Sequence, residues 1–245
     1  MDRPEKDAEK ITREPRTYSP ITLFALLIIV AQILVSLATY PFLPNVVPSH
    51  WDAAGHINGY LPKWGHAILF PVMSLGIYIL IRVLISVRPR LGYQNQRSTP
   101  EVVNLILVAA LLFMLIIQLT VTAIALSFPI DITFVISLCI SLLFMFIGNY
   151  LGKLRRNFWA GIRTPWTLAS DVVWERTHRL GGWLFVVGGL LGVIMSFVPP
   201  LRPWGLFVVI GLIVVVLCIY SYIIYQRYTV DGREPLSPPF DSEEV

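Results

Sequence analysis

Charge is scarce in this chain. Of its 245 residues only 14 % are charged and 56 % are hydrophobic, whereas ordinary globular domains carry about 25 % charged residues. The mean hydropathy is +0.69. A soluble fold interleaves polar and apolar residues along each surface element. Here the apolar residues stand in blocks, which excludes a soluble domain. Cysteine is scarcer still. There are 2, Cys139 and Cys218, both inside apolar runs, so no disulfide framework can form in exposed loops. Asp, Glu, Lys, Arg and His are missing from the middle of every run. Each would cost roughly 2.5–3.5 kcal/mol to insert and is kept only for use. Their absence argues against an ion-coupled pump and against intramembrane proteolysis. No internal repeat of the inverted-repeat transporter kind is visible.

Six runs remain: about Ile21 to Tyr40, Trp64 to Val87, Asn104 to Leu126, Ile132 to Leu151, Trp183 to Val198 and Trp204 to Tyr225. Runs near 20 residues match a hydrocarbon core of roughly 30 Å at a 1.5 Å rise per residue. The expected fold is an all-α integral membrane protein with six transmembrane helices. Residues 1–20 read as a disordered, solvated tail and 226–245 as a second, acidic one. Between them lie an N-terminal membrane half (21–130, with a loop at 41–63) and a C-terminal half (131–225, with a polar loop at 149–182). Ser36-Leu37-Ala38 offers a competing signal-peptidase site, set aside because the run is long and five more follow. The central neutral polar residues, Gln32 and Gln118, are expected to bond between helices. Gly188, Gly192 and Ser196, with Gly181 before them, form a ridge of small residues for close helix packing, within one chain or between two copies.

Six spans put both termini on one side. The tails and even loops, with Arg82, carry seventeen of the 19 cations, and the odd loops carry only Lys63 and Arg202. By the positive-inside rule the termini and the 149–182 stretch are expected in the cytoplasm, N-in and C-in, with the 41–63 loop outside. The same segregation accounts for the pI near 9.2, and no direct nucleic-acid partner is implied.

The outer loop, PFLPNVVPSHWDAAGHINGYLPK, reads as compact and turn-rich with aromatic anchors. His50, Asp52, His56 and His66 could be considered as metal ligands, yet their spacing fits no standard zinc pattern, and local hydrogen bonding is the plainer reading. No metal or cofactor is expected. Pro48, His50, Trp51, Gly55, Tyr60 and Lys63 are candidate contacts for an extracellular ligand.

The central stretch, Asn149 to Gly182, is too rich to be a linker. Lys153, Arg155 and Arg156 form a basic segment suited to anionic headgroups, and Phe158-Trp159 adds aromatic anchoring. Thr164-Pro165 marks a helix start, with threonine at the N-cap and proline at N1. Ser170 or Asp171 offers a second start into VVWERTHRL, where Trp174 and His178 are i,i+4 neighbours and Glu175 and Arg179 a well-oriented i,i+4 pair. One or two short interfacial helices are expected. His178 lacks a nucleophile beyond Ser170, which argues against an enzyme.

The pattern Asn149, Gly152, Lys153, Asn157 and Gly161-Ile162-Arg163-Thr164-Pro165-Trp166-Thr167-Leu168, followed by Trp174, Thr177-His178-Arg179 and Gly181-Gly182, resembles the signature of the SdpI family. The outer loop, with Pro48, His50, Trp51, Gly55, Gly59 and Lys63, resembles the uncharacterised membrane domain that often precedes it. The resemblance implies a multi-pass protein of the bacterial plasma membrane that gives immunity to a secreted peptide toxin. It also implies a receptor that sequesters a cytoplasmic ArsR-type repressor. The candidate docking and signalling residues are then Asn149, Gly152, Lys153, Asn157, Gly161, Arg163, Thr164, Pro165, Trp166, Thr167, Trp174, His178 and Arg179. The alternative is a small-molecule or lipid permease, or an envelope-stress protein. A cavity lined by Gln118, Asn149 and the span tyrosines would favour it.

Overall fold

The computed structural model describes residues 20–87, 98–157 and 160–230. The expected tails at 1–19 and beyond 230, the basic loop at 88–97 and the Phe158-Trp159 pair lie outside the described residues. The elements are α1 (Pro20–Thr39), a 3-10 turn (Tyr40–Phe42), β1 (Val46–Trp51), β2 (Ile57–Pro62), α2 (Lys63–Val87), α3 (Ser98–Ala125), α4 (Ile132–Leu151), α5 (Pro165–Ala169), α6 (Asp171–Ser196), a second 3-10 turn (Pro199–Leu201) and α7 (Arg202–Tyr225). Among the described residues, every α-helix but α5 belongs to one of six segments, of 20 to 26 residues, long and apolar enough to cross a membrane. At 1.5 Å per residue these reach about 30–39 Å. They alternate in direction, so the bundle has a hairpin end, carrying β1 and β2, and a terminal end, carrying the 152–170 loop.

In the N-terminal half α1, α2 and α3 pack around Ala25, Ile28, Ile29, Leu107 and Leu111. A proline inside α2, Pro71, has no N–H for the carbonyl of Ala67 one turn earlier. Hydrocarbon offers no water to that carbonyl, so another group must serve it. Ser36 of α1 does, its Oγ donating at 2.7 Å. Gln118 of α3 then donates to Ser36 Oγ at 2.9 Å and to the Gln32 carbonyl at 3.0 Å. Gln118 thus bonds between helices as expected, and a proline-freed carbonyl in α2 is what organises the web.

In the C-terminal half α4, α6 and α7 meet through glycine. A Cβ on Gly148 of α4 would lie 2.8 Å from the Gly182 carbonyl, and one on Gly182 would lie 2.9 Å from the Gly148 carbonyl, so the two backbones touch. Further along, Gly189 faces Ser141 and Met145 of α4, while Gly188 faces Val209 and Ile213 of α7. The ridge of small residues is therefore filled within the one chain.

Two expectations need correction. The fifth span does not begin near Trp183. α6 runs unbroken from Asp171, with the Ser170 hydroxyl accepting from the Val173 N–H to cap it. The only short helix in the described part of the loop is α5. Gly181-Gly182 does not break α6, because the closeness it allows to α4 offsets the loss of helix propensity, about 1 kcal/mol per glycine. The 41–63 loop, read as turns, contains an antiparallel hairpin with a register irregularity around His50. Pro48, Gly59 and Pro62 hide it from propensity. Val47 is fully buried and joins Leu43, Phe70, Val121 and Ile132, seating the hairpin on α2, α3 and α4.

Gly148→Ala is expected to destabilise the protein by about 1–3 kcal/mol, because the new methyl meets backbone. Gly211→Ala has open space within 4 Å and should be neutral. Thermal midpoints of the two variants in detergent compare them, and equal midpoints would show that the α4–α6 crossing is loose.

Candidate functional site

The terminal end carries a hydrogen-bonded latch that folds the 152–170 loop against α6 and α7. Trp174 and His178 stack at 3.9 Å between ring centroids, as their spacing predicts. The indole donates to the Leu154 carbonyl at 2.7 Å. The Ile162 N–H donates to His178 Nε2 at 2.9 Å, so that nitrogen keeps its lone pair. The proton then sits on Nδ1, which donates to the Trp174 carbonyl at 2.9 Å. His178 is held as one neutral tautomer. Gly161 makes this approach feasible. Its φ is +115°, and any Cβ there would collide with His178 Nε2.

The Thr164–Leu168 segment closes on itself. Thr167 Oγ1 accepts from the Thr164 N–H at 2.9 Å, the Thr164 hydroxyl accepts from the Thr167 N–H at 3.2 Å, and Pro165 fills N1. This is a reciprocal capping box with threonine in the usual Glu position. The Thr167 hydroxyl also reaches the Ile162 carbonyl at 2.8 Å, and Thr164 Oγ1 lies 3.3 Å from Ser221 Oγ on α7. Trp166 sets its ring edgewise on Tyr222. Asn157 is buried, accepting from the Ala160 N–H at 2.8 Å and donating to the Arg155 carbonyl at 2.7 Å.

The candidate residues therefore separate. Asn157, Thr164, Thr167, Trp174 and His178 are buried, and their polar groups serve the latch instead of facing a partner. Gly152, Lys153, Gly161, Arg163, Pro165 and Arg179 are exposed, and Trp166 is half-buried. Lys153 lies over the Tyr150 ring at 4.7 Å. Asn149 is exposed and donates to the Met145 carbonyl at 2.9 Å. Gln118 is buried on α3, where it bonds Ser36 and the Gln32 carbonyl. Glu175 and Arg179 do not close their expected ion pair, which is absent from the ion pairs of the described residues.

Arg156 is the member that sequence reasoning passed over as one basic residue among several. Its Nε donates to Asp171 Oδ1 at 2.6 Å and a terminal nitrogen to the Leu168 carbonyl at 2.8 Å. Its side chain is only 10 % exposed. A signal was present, because Asp171 is the first acidic residue after Asp131 in a strongly basic interval.

At the hairpin end a cleft of about 680 Å³ opens between the hairpin turn, the start of α4 and the 199–204 turn, with Trp51, Gly55, Thr133, Arg202 and Trp204 among its walls. It adjoins a fissure of about 380 Å³ that runs between α4 and α7 past Ile136, Ile140, Phe207 and Ile210. Asp131 caps α4 and pairs with Arg202, whose Nε donates to the Ser196 carbonyl at 2.6 Å. Of the expected outer contacts, Trp51 and Gly55 line the cleft. Tyr60 is exposed, Lys63 lies over Tyr40 at 4.9 Å, and Pro48 is buried and offers no contact surface. His50 binds Asn58 at 2.5 Å, His56 lies 3.3 Å from Asp52, and His66 bonds Thr122 at 3.0 Å inside the bundle. The histidines thus have separate partners, and no group of three metal-ligating side chains occurs among the described residues.

A six-span helical membrane protein with a cleft at one end and a latch at the other is the class these features define. Residues 153–221 match the SdpI/YfhL protein family, and residues 27–75 match a domain of unknown function, DUF1648. The chain is 26 % identical over 209 residues to the Immunity protein SdpI of Bacillus subtilis (strain 168), covering 84 % of this chain and 95 % of that one. No solved structure matches. The family match lies in the C-terminal half of the chain, and the protein is a multi-pass protein of the bacterial plasma membrane. The latch, from Leu154 to Ser221, falls entirely within the family segment.

Thr167→Val keeps the shape but strands the Thr164 N–H and the Ile162 carbonyl. It is expected to cost about 1–3 kcal/mol and to speed tryptic cleavage after Arg163. An unchanged melting midpoint and cleavage rate would show that the latch is dispensable. At the other end, partial burial raises the Asp131 pKa, but the Thr133 hydroxyl, the Phe134 N–H and Arg202 outweigh it and the net shift is downward from 3.8. A lowered folded pKa gives stability that is present above the unfolded value and lost as pH falls through the folded one. The midpoint difference between wild type and Asp131→Asn should therefore hold down to about pH 3.8 and vanish below it. A difference already gone well above that pH would contradict the pairing.

Proposed function

We propose that the chain is an immunity protein that protects its producer from a secreted peptide toxin. The observation that carries this reading is that the likeness to the Immunity protein SdpI runs through both halves, 84 % of this chain and 95 % of the relative. The cleft and the latch therefore come together in one unit. The concentration of cations at the terminal end supports a cytoplasmic latch and an outward-facing hairpin. A secreted peptide then meets the cleft first. The cleft's chemistry suits such a ligand: indole walls at Trp51 and Trp204, the Asp131–Arg202 pair at its edge, and an apolar fissure leading toward the bilayer. An amphipathic peptide can place apolar side chains in the fissure while its polar groups stay at the mouth.

In the same reading the exposed Lys153, Arg163, Pro165 and Arg179 form the face offered to a cytoplasmic ArsR-type repressor, and the buried latch residues hold that face in shape. Arg163→Ala is then expected to impair signalling or protection while membrane insertion stays normal.

Deletion of the gene should sensitise cells to a toxin made by the producer or its siblings. Re-expressed wild type should restore growth. Ala54→Trp, which fills the cleft from an exposed turn, should restore membrane insertion but leave the toxin threshold about tenfold lower, equivalent to roughly 1.4 kcal/mol of lost binding. A deletion strain as resistant as its parent to every such toxin would end the immunity reading. Full protection by Ala54→Trp would move the contact away from the cleft.

A further inference from the structure

We infer that the groove between the first turns of α6 and the last turns of α7 is a headgroup site for an anionic phospholipid. The groove holds about 640 Å³ and is lined by Val172, Glu175, Arg176, Arg179, Trp183 and Tyr220. It lies across α6 from the latch loop and shares none of the toxin cleft's residues, so it stands apart from the immunity reading.

Depth identifies the ligand as a lipid. A hydrocarbon core of roughly 30 Å spans about 20 helical residues. Counted back along α6 from Ser196, that length ends near Arg176. Counted forward along α7 from Trp204, it ends near Ile224. Arg176, Arg179 and Tyr220 thus lie within about one turn of the hydrocarbon boundary, where lipid phosphates sit. Trp183, 70 % exposed, and Leu180 continue the α6 face into the apolar layer, beside the acyl chains of a lipid held at the arginines. An indole at this depth belongs to the interfacial belt.

Charge identifies the headgroup. Arg176 and Arg179 are one turn apart on one face, both are exposed, and neither has an acidic partner among the described ion pairs. Arg176 lies over the Tyr228 ring at 4.3 Å. A guanidinium seated on an aromatic ring still has N–H donors for a fork onto phosphate oxygens. Glu175 lines the same groove and removes one charge, so the net single positive charge matches a phosphodiester monoanion such as phosphatidylglycerol. Free phosphate shares the headgroup chemistry but has no use for the Leu180–Trp183 wall.

Native mass spectrometry of the full chain in detergent, titrated with phosphatidylglycerol or phosphatidylcholine, tests this. Wild type should retain phosphatidylglycerol preferentially. The double variant Arg176→Ala/Arg179→Ala should weaken that retention about tenfold, as expected for two lost charge-assisted contacts. Arg3→Ala/Lys6→Ala, with the same charge change in the N-terminal tail, should leave it unaltered. Glu175→Gln should tighten it. Should the double alanine variant fail to fold, Arg176→Lys/Arg179→Lys keeps the charge, removes the forks and should still lose affinity. Equal losses in the groove and control variants, or equal retention of both lipids, would reduce the site to unspecific surface charge and overturn the inference. Displacement of the lipid by millimolar inorganic phosphate would overturn the lipid assignment.

Discussion

The contact on which the rest of the C-terminal half depends is backbone against backbone, where Gly148 of α4 meets Gly182 of α6. In a bilayer there is no hydrophobic force to draw helices together, and close van der Waals packing must do it. Two missing side chains at one crossing let α4 and α6 run in contact for most of their length. That closeness brings the Leu154 carbonyl, just past the end of α4, within 2.7 Å of the Trp174 indole on α6. It also brings Ile162 to His178. The latch is thus a consequence of helix packing as much as of its own residues. Its motif reads as a set of geometric necessities: a glycine where His178 leaves no room, a threonine pair that caps itself, and a proline where no N–H is needed.

Much of this was legible in the residues. Six helices follow from six apolar runs, because a chain in hydrocarbon has no alternative way to satisfy its backbone. The Trp174–His178 stack and the Thr164-Pro165 cap are local, and local spacing disclosed them. What stayed hidden depends on distance. Arg156 looked like any basic juxtamembrane residue, and only the fold places Asp171 within reach of it. The start of α6 was misjudged by about three turns because VVWERTHRL is too polar to register as a span, yet it is good helix and continues one. The hairpin was missed because Pro48, Gly59 and Pro62 mask strands whose pairing is set by the helices beneath Val47. The burial of five of the thirteen candidate docking residues was equally invisible, since polarity in a sequence does not tell a surface from a satisfied interior.

The two family segments are joined at the hairpin end more closely than their separation in the chain implies. The hairpin belongs to the DUF1648 segment, Arg202 and Trp204 to the SdpI segment, and Asp131 to the turn between them. Gly55 seats the hairpin turn on Thr133, and Arg202 ties α7 and the end of α6 to the cap of α4. The walls of the cleft thus come from both segments and from the turn between them.

The unbroken course of α6 has a mechanical meaning. Its 26 residues make a rod of about 39 Å at 1.5 Å per residue. At one end the Ser196 carbonyl holds Arg202 beside the cleft, and at the other Trp174 and His178 hold the loop. Between them, Gly182 and Gly189 press the rod against α4. A helix without a break keeps its two ends at a fixed spacing. Had the helix broken at Gly181-Gly182 into a separate surface helix, the two ends would move independently. As built, the residues that hold the edge of the cleft and those that hold the loop are set on one continuous helix, and their separation is fixed by its length.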